Sequence, residues 1–234
     1  MLKIYIVAST KGGCGKTTST ANIARKLSMK YNIGIIDADL TSPSICKILD
    51  APIKKLKIGR DKIEPMEFNG MKIFSTALLT GDDDMPIMFK GEKKRGAIEQ
   101  FVNKINWGKL DYLLVDAAPG CSDELIELLD IFNKKIDGMI IVTTPSRLSV
   151  NSVRKLVNLC EKKNIKVTGL ISNMDTFRCP SCGLHTDIFG SKDGVTKIVN
   201  DFNIQLLDRV PIIPNVENRP MMIMEYFRWV SEVL

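Results

Sequence analysis

The stretch Lys11-Gly12-Gly13-Cys14-Gly15-Lys16-Thr17-Thr18 constrains this chain more than any other, because of what flanks it. An apolar run at 4–8 precedes it and a helical pattern over 16–30 follows. A glycine-rich turn between a buried strand and a helix is a phosphate cradle. Small residues let backbone N–H groups point inward, and the helix N-terminus adds partial positive charge. The N–H groups of Gly12, Gly13, Cys14 and Gly15 are placed to hold phosphate oxygens. Lys16 would pair with the β- and γ-phosphates of ATP, Thr17 would offer its hydroxyl to Mg²⁺, and Thr18 would cap the phosphate contacts. The simple spacing G-x-x-x-x-G-K-[ST] asks for glycine where this chain has Thr10. The bland alternative is a glycine-rich turn with no ligand, but Gly-Lys-Thr at a strand–helix junction is rarely accidental.

The rest of the chain keeps the same rhythm. Apolar runs at 4–8, 33–36, 71–74, 112–115, 139–142 and 167–171 are rich in Ile, Val and Leu. They lack alternation, as strands buried on both faces do. Helical patterns fall at 16–30, 93–105, 123–132, 150–163 and 194–203, with Ser122 as an N-cap. Strand–helix alternation predicts a three-layer α/β fold with a mostly parallel central sheet flanked by helices. Residues 56–74 depart from it as two extended pieces around Asn69-Gly70, a hairpin-turn dipeptide, and 81–84 is an acidic loop. With 234 residues, no Gly/Ser-rich linker and no repeat, a single domain over 1–234 is expected.

Composition removes several classes. Hydrophobic residues at 44% and charged residues at 26% are ordinary globular proportions. A net charge of +6 permits a polyanionic partner without demanding one. The basic runs at 90–95 and 161–163 have no interleaved aromatics, which a nucleic-acid platform would need. No apolar run approaches the ~18 residues of a membrane span, and the first ten residues read as a core strand rather than a leader. The expectation is a cytoplasmic protein with no nucleic-acid or membrane partner, whose six cysteines are reduced.

Two further strand ends carry carboxylates. The second run ends in Asp37-Ala38-Asp39. The carboxyl ends of parallel strands face the ligand crevice of such a sheet, so Asp37 is placed to bind Mg²⁺ through water and Asp39 to orient an attacking water. The run at 112–115 ends in Asp116-Ala117-Ala118-Pro119-Gly120. Asp116 then occupies the Walker B position and would hold the metal, while Pro119 and Gly120 form a switch, with the Gly120 N–H offered to the γ-phosphate. Three strand ends converge on one phosphate site. Asn173, just past the run at 167–171, is placed either to read a base edge or to cap.

Cys179-Pro180-Ser181-Cys182-Gly183 is a second centre of chemistry. Two thiols at C-x-x-C spacing grip one soft metal or one cluster edge, but a cubane cluster or a zinc site takes about four ligands. One chain could complete the set with His185 or Asp187, or two chains could contribute two cysteines each. Zinc in place of a cluster, disulfide chemistry, or a plain turn remain the other readings. Cys14, Cys46, Cys121 and Cys160 are scattered and read as small buried hydrophobes.

These residues together make the chain resemble the Mrp/ApbC group of ATP-binding iron–sulfur cluster carriers. The similar segments run from end to end: DADLTSPS (37–44), IEPMEF (63–68), GAIEQ (96–100), WGKLDYLLVD (107–116), PGCSDE (119–124) and the loop 173–190 with NM, CPSCG and IFG in the family's order. Lys11 resembles the second lysine of the deviant Walker A signature shared by the Fe-protein, MinD and ParA class, where it reaches across a dimer interface to the partner's nucleotide. That class also implies adenine contact for Asn173, and Pro211 and Pro214 fall where the family has a loop near the adenine. The resemblance implies a P-loop NTPase fold and ATP hydrolysis, which the departures at Thr10, Cys14 and Ala117-Ala118 would slow while the phosphate and metal ligands survive. It also implies a homodimer with a 4Fe-4S cluster bridged by Cys179 and Cys182 of both chains and handed to apoproteins. Thr10, Cys14 and Ala117-Ala118 depart from the family pattern, and the four-cysteine segment of longer relatives has no counterpart here, so a second cluster is not expected. Two other readings share the fold. A MinD/ParA-like positioning ATPase would need an amphipathic tail or a basic DNA face, and 220–234 carries one Arg against two Glu. An electron donor like nitrogenase Fe protein would take its cysteines from two separate segments.

Overall fold

A run of Ile, Val and Leu can leave water only if its backbone N–H and C=O groups find partners, and here they find them in one sheet. The computed structural model describes residues 1–40, 42–57, 59–60, 62–81, 99, 104–214 and 224–234. The six predicted strands are present as β1 (Lys3–Ala8), β2 (Ile33–Asp37), β4 (Met71–Ser75), β5 (Tyr112–Asp116), β6 (Gly138–Thr143) and β7 (Val167–Arg178). In β2, β5 and β6 every residue is buried. Three more strands complete the sheet among the described residues: β3 (Met66–Phe68), β8 (His185–Thr186) and β9 (Leu206–Ile212). The strand order is β3-β4-β2-β5-β1-β6-β7-β8, with β9 paired to β7. All pairings are parallel except those of β3 with β4 and β8 with β7. The mostly parallel sheet with flanking helices is the expected one, and the β3–β4 hairpin turns at Asn69-Gly70, both with positive φ.

Helix α1 (Lys16–Ser28) starts directly at the glycine-rich turn. Helix α4 (Asp123–Phe132) is capped as expected, the Ser122 side chain accepting from the Leu125 N–H. Helix α5 (Arg147–Lys162) buries Ser149, Val150, Val153, Leu156, Val157 and Cys160, a stripe of helical period. Helix α6 (Asp193–Asp201) follows β8, and the short helices α2 (Ile45–Leu49), α3 (Ala77–Thr80) and α7 (Val230–Val233) are too brief to show a period in the sequence. The described part of the C-terminal segment packs inward: Phe227, Trp229 and Val230 are buried. That is a closing helix, not a free amphipathic tail. The acidic residues 82–84, the basic run 90–95 and most of the helix expected over 93–105 lie outside the described residues, as do Thr41, most of GAIEQ (96–100) and 215–223.

Strand β9 is the element the sequence pattern conceals. Asp208, Arg209 and Pro211 interrupt its apolar character, and proline within a run argues against a central strand. At the outer side of β7 the missing N–H is tolerated, so an edge strand carries the proline.

Candidate functional site

Parallel register brings the predicted site together. Asp37 and Asp116 are register partners across β2 and β5, Asp116 is the partner of Val7 in β1, and Ser75 is the partner of Asp37 in β4. The carboxyl ends of four neighbouring strands therefore meet at the glycine-rich turn that follows β1. They open on a cleft of about 540 Å3 lined by Lys11, Gly13, Lys16, Thr17, Asp39 and Pro119, among others, which is the size of a small-molecule site.

The phosphate loop owes its shape to its glycines. Gly13 and Gly15 have φ of +77° and +84°, and a Cβ on Gly15 would stand 2.1 Å from the Asn173 amide nitrogen. That amide donates to the Cys14 carbonyl at 2.9 Å, so Asn173 meets the loop itself. Cys14 is buried. Burial pushes its thiol pKa up, against the hydrogen bond to Ser149. The Thr10 hydroxyl, where the simple pattern has glycine, has no hydrogen-bond partner among the described residues.

Lys16 is almost fully buried and its ammonium lies 2.9 Å from Asp116. Asp116, fully buried, also accepts from the Thr17 hydroxyl at 2.7 Å and the Thr20 hydroxyl at 2.9 Å. Asp37 is met differently. Its carboxylate accepts from the N–H groups of Ser44 (2.9 Å), Ile45 (3.1 Å) and Asp39 (3.2 Å), and from the Ser75 hydroxyl. Burial first, then the negative Asp116 beside it, raises the Asp37 pKa to about 7. Asp39 is half-buried at the cleft, its carboxylate accepting from the Ser42 N–H at 3.0 Å. The Gly120 N–H donates to the Ser9 carbonyl at 2.8 Å, so it must leave that oxygen to reach a phosphate. Thr18 lines the cleft, and Pro211 lies within β9 rather than in a loop.

Three contributors are not evident from the motifs. Thr20 stands four residues after Lys16, on the same helix face, and this spacing is the signal that could reveal it. Ser44 bridges Asp37 and Thr17. Met174 lines the cleft. The oxygen set of Thr17, Asp37 and Asp116 suits a hard divalent cation, and two neighbouring buried carboxylates, one of them with a raised pKa, fit such a charge.

The cysteine pair sits at the tip of a hairpin. β7 continues past the sheet body, and β8 folds back on it, pairing Arg178 with His185. The Cys179 N–H donates to the Leu184 carbonyl and the Gly183 N–H to the Cys179 carbonyl, both at 2.9 Å. Gly183 takes φ +73° to close this turn. Backbone N–H groups of Cys182 and Ser181 and the Cys182 thiol lower the Cys179 pKa, favouring its thiolate. Cys182 is exposed, and so are Leu184, Ile188 and Phe189 just beyond it. Among the described residues no three His, Cys, Asp or Glu side chains gather into a metal site, so neither His185 nor Asp187 joins the two thiols. Of the other cysteines, Cys14, Cys46 and Cys160 are buried as expected, but Cys121 is exposed beside the start of α4. No described helix is long and apolar enough to cross a membrane.

A family model described as ParA, NUBPL iron-transfer P-loop NTPase, matches residues 1–223. An iron–sulfur cluster carrier protein of Methanocaldococcus jannaschii is 39% identical over 209 residues, covering 88% of this chain and 71% of that protein. A cytosolic Fe-S cluster assembly factor of Dictyostelium discoideum, a NUBP2 homologue, is 36% identical over 216 residues, covering 90% and 81%. Among solved structures, a nucleotide-binding protein of Archaeoglobus fulgidus in complex with ADP, described with cobalt, superposes with a TM-score of 0.79. It is 28% identical and the match covers 95% of this chain and 87% of that one. The cell-division ATPase MinD of Pyrococcus furiosus shares the fold at TM-score 0.65 and 16% identity, covering 99% and 98%.

Proposed function

The chain belongs to the ParA family of P-loop NTPases, in the NUBPL iron-transfer group, and on that premise we propose that it is an ATP-driven carrier of iron–sulfur clusters that loads a 4Fe-4S cluster between two copies of itself and releases it to apoproteins. The observation that carries this reading is the hairpin tip. Two cysteines, one of them held toward its thiolate, stand together with no third ligand from the described residues of the same chain. A cubane wants four thiolates, and a second copy brings the other two. The exposed Leu184, Ile188 and Phe189 beside the pair suit burial between copies. The curated relatives' names, cluster carrier and cytosolic assembly factor, support both the cargo and a cytosolic setting.

In the nucleotide cleft, Lys16 exchanges Asp116 for the β- and γ-phosphate oxygens when ATP enters. The N–H groups of Gly12 to Gly15 hold the remaining phosphate oxygens, with Thr18 alongside. Mg²⁺, held by Thr17 and Asp116 and through water by Asp37, would neutralise the phosphate charge. Asp39 accepts a hydrogen bond from the attacking water and aims it at the γ-phosphorus. Lys11, at the mouth of the cleft, reaches the phosphates of the facing copy. The Gly120 N–H leaves the Ser9 carbonyl for the γ-phosphate, which makes the Pro119-Gly120 turn sensitive to hydrolysis. The adenine is assigned to Asn173, whose amide would leave the Cys14 carbonyl to reach it, and to Pro211.

The test is anaerobic reconstitution with iron and sulfide. About four irons per dimer and a broad absorption near about 400 nm are expected, with both lost in Cys179→Ala and Cys182→Ala while ATP binding persists. Wild-type iron content in either variant sinks the reading. Tight zinc with no iron uptake would replace it with an ATPase clamped by a structural metal.

A further inference from the structure

The strand that carries the cysteines also touches the phosphate loop, and it is not regular. β7 pairs with β9 as far as Asn173, and the pairing resumes only at Phe177. In the gap Met174 has φ +55°, a left-handed conformation that a side chain with a Cβ adopts only under constraint. On one side of this kink the Asn173 amide donates to the Cys14 carbonyl, and Met174 itself lines the nucleotide cleft. On the other side Asp175 is 2% exposed. Its carboxylate accepts from the Ser172 hydroxyl at 2.6 Å and from Arg209 of β9 at 2.8 Å. The second guanidinium nitrogen of Arg209 donates to Thr196 of α6 at 2.9 Å.

Asp175 also holds the return arm of the cysteine hairpin. The Lys192 ammonium stands 3.8 Å from Asp175 and 3.9 Å from Asp187, the residue after β8. Both arms of the hairpin therefore lead to one buried carboxylate: the outgoing arm through the backbone of 176–178, the return arm through Asp187 and Lys192. Four residues of extended chain lie between Met174 and Cys179, a span of about 17 Å. Between Asn173 and Phe177 β7 advances four residues while β9 advances two, so β7 stores two extra residues at the kink. Drawing them into the ladder would slide the downstream chain, the cysteines included, by about 7 Å along the strand.

We propose that the Asn173–Asp175 kink couples the nucleotide cleft to the cysteine pair, with Asp175 and Arg209 as the residues that position it. The coupling rests on the reading of Cys179 and Cys182 as the cluster site. A ligand that presses on Met174 or on the Cys14 carbonyl biases the kink, and the kink sets how the hairpin presents its two thiols. Coupling of this kind is reciprocal: whatever nucleotide does to metal affinity, metal does to nucleotide affinity by the same factor.

The experiment measures the dissociation constant of a fluorescent ADP analogue for the full chain, before and after loading with iron and sulfide. In the wild type, loading should change that constant by at least ~5-fold, the lower range of allosteric coupling. Asp175→Asn and Arg209→Ala should bind iron at wild-type stoichiometry but bring the loaded-to-unloaded ratio close to one. Arg209→Lys, which keeps the charge opposite Asp175, should restore part of it. A merely structural role for the ion pair would lower the melting temperature of all these variants and leave the ratio unchanged. If Asp175→Asn does not fold, the Arg209→Ala and Arg209→Lys pair decides alone. An equal constant in loaded and unloaded wild type overturns the coupling, and so does a full ratio in Arg209→Ala. No iron uptake by the wild type overturns the cluster reading together with the coupling, whereas iron uptake without a nucleotide effect overturns the coupling only.

Discussion

Asp37 and Asp116 are register partners with unlike surroundings. Asp116 has the Lys16 ammonium at 2.9 Å, whereas Asp37 is met by N–H groups and a hydroxyl. Burial and the neighbouring charge raise Asp37 to about 7. The direction of the linkage follows from that. A carboxyl raised above its unfolded value binds a proton in the folded state that the unfolded chain has already lost. The nucleotide-free, metal-free protein therefore loses stability as pH climbs from the ordinary carboxylate range toward 7, and the loss levels off above 7. A tenfold change in proton affinity between the two states is worth about 1.4 kcal/mol, so the total is a few kcal/mol. The melting temperature in chelator should fall between pH 5 and pH 8, and Asp37→Asn should flatten that slope. The slope is the measure to compare, because an amide facing the Asp39 N–H forfeits a hydrogen bond and lowers stability at every pH. A wild-type slope retained in Asp37→Asn would show that another group carries the pH dependence. In Mg²⁺ and ADP the fall should vanish, since a divalent charge keeps the folded carboxylate ionised, as it already is in the unfolded chain at these pH values.

At the scale of elements, the parts visible in the sequence are those whose pattern is set by burial alone. β2 and β5 are buried throughout, so Ile and Val runs announce them, and a glycine-rich turn after a strand announces the start of α1. β9 stays hidden because its edge position tolerates Pro211 and partly exposes Asp208 and Arg209. Long-range partners are hidden for another reason. The Asn173 amide reaches a carbonyl 159 positions away, and nothing local to residue 173 announces it. The tryptophan loop before β5 offers a test of close packing. A Cβ on Gly34 would stand 2.6 Å from Leu110, 2.9 Å from Leu113 and 3.0 Å from Trp107. Three side chains cannot all retreat in a full core, so Gly34→Ala is expected to destabilise by about 1–3 kcal/mol and lower the melting temperature by about 2–12 °C. Nucleotide affinity should stay within about twofold once folded, because Gly34 lies three residues before Asp37, on the far side of β2 from the cleft mouth. A melting temperature equal to wild type would mean that the 107–113 segment yields more freely than its burial implies.

For the whole molecule, the two centres are each built for half a task. On the proposed reading the cysteine tip supplies two thiols to a cluster that takes four, and Lys11 stands at the mouth of a cleft in which Lys16 and the glycine turn would provide the phosphate contacts. On that reading a second copy facing the first completes both. If ATP draws the copies together through Lys11, mass in solution should depend on nucleotide. With Mg²⁺ and a non-hydrolysable ATP analogue, light scattering should show a dimer, and ADP should favour the monomer. Lys11→Ala should abolish the nucleotide-dependent dimer and lower ATP turnover about 100-fold or more, the scale of a lost charge-stabilising contact in a transition state. Lys16→Ala should lose nucleotide binding altogether, because the ammonium it removes is the one aimed at the phosphates and it leaves Asp116 buried without its cation. The two lysines thus separate: one variant binds nucleotide without assembling, the other does neither. Should Lys11→Ala dimerise with ATP as the wild type does, the phosphate cleft is self-sufficient and the copies are held together at the cysteine hairpin alone. Dimerisation would then follow iron rather than nucleotide, a dependence the same instrument reads by repeating the titration with Cys179→Ala.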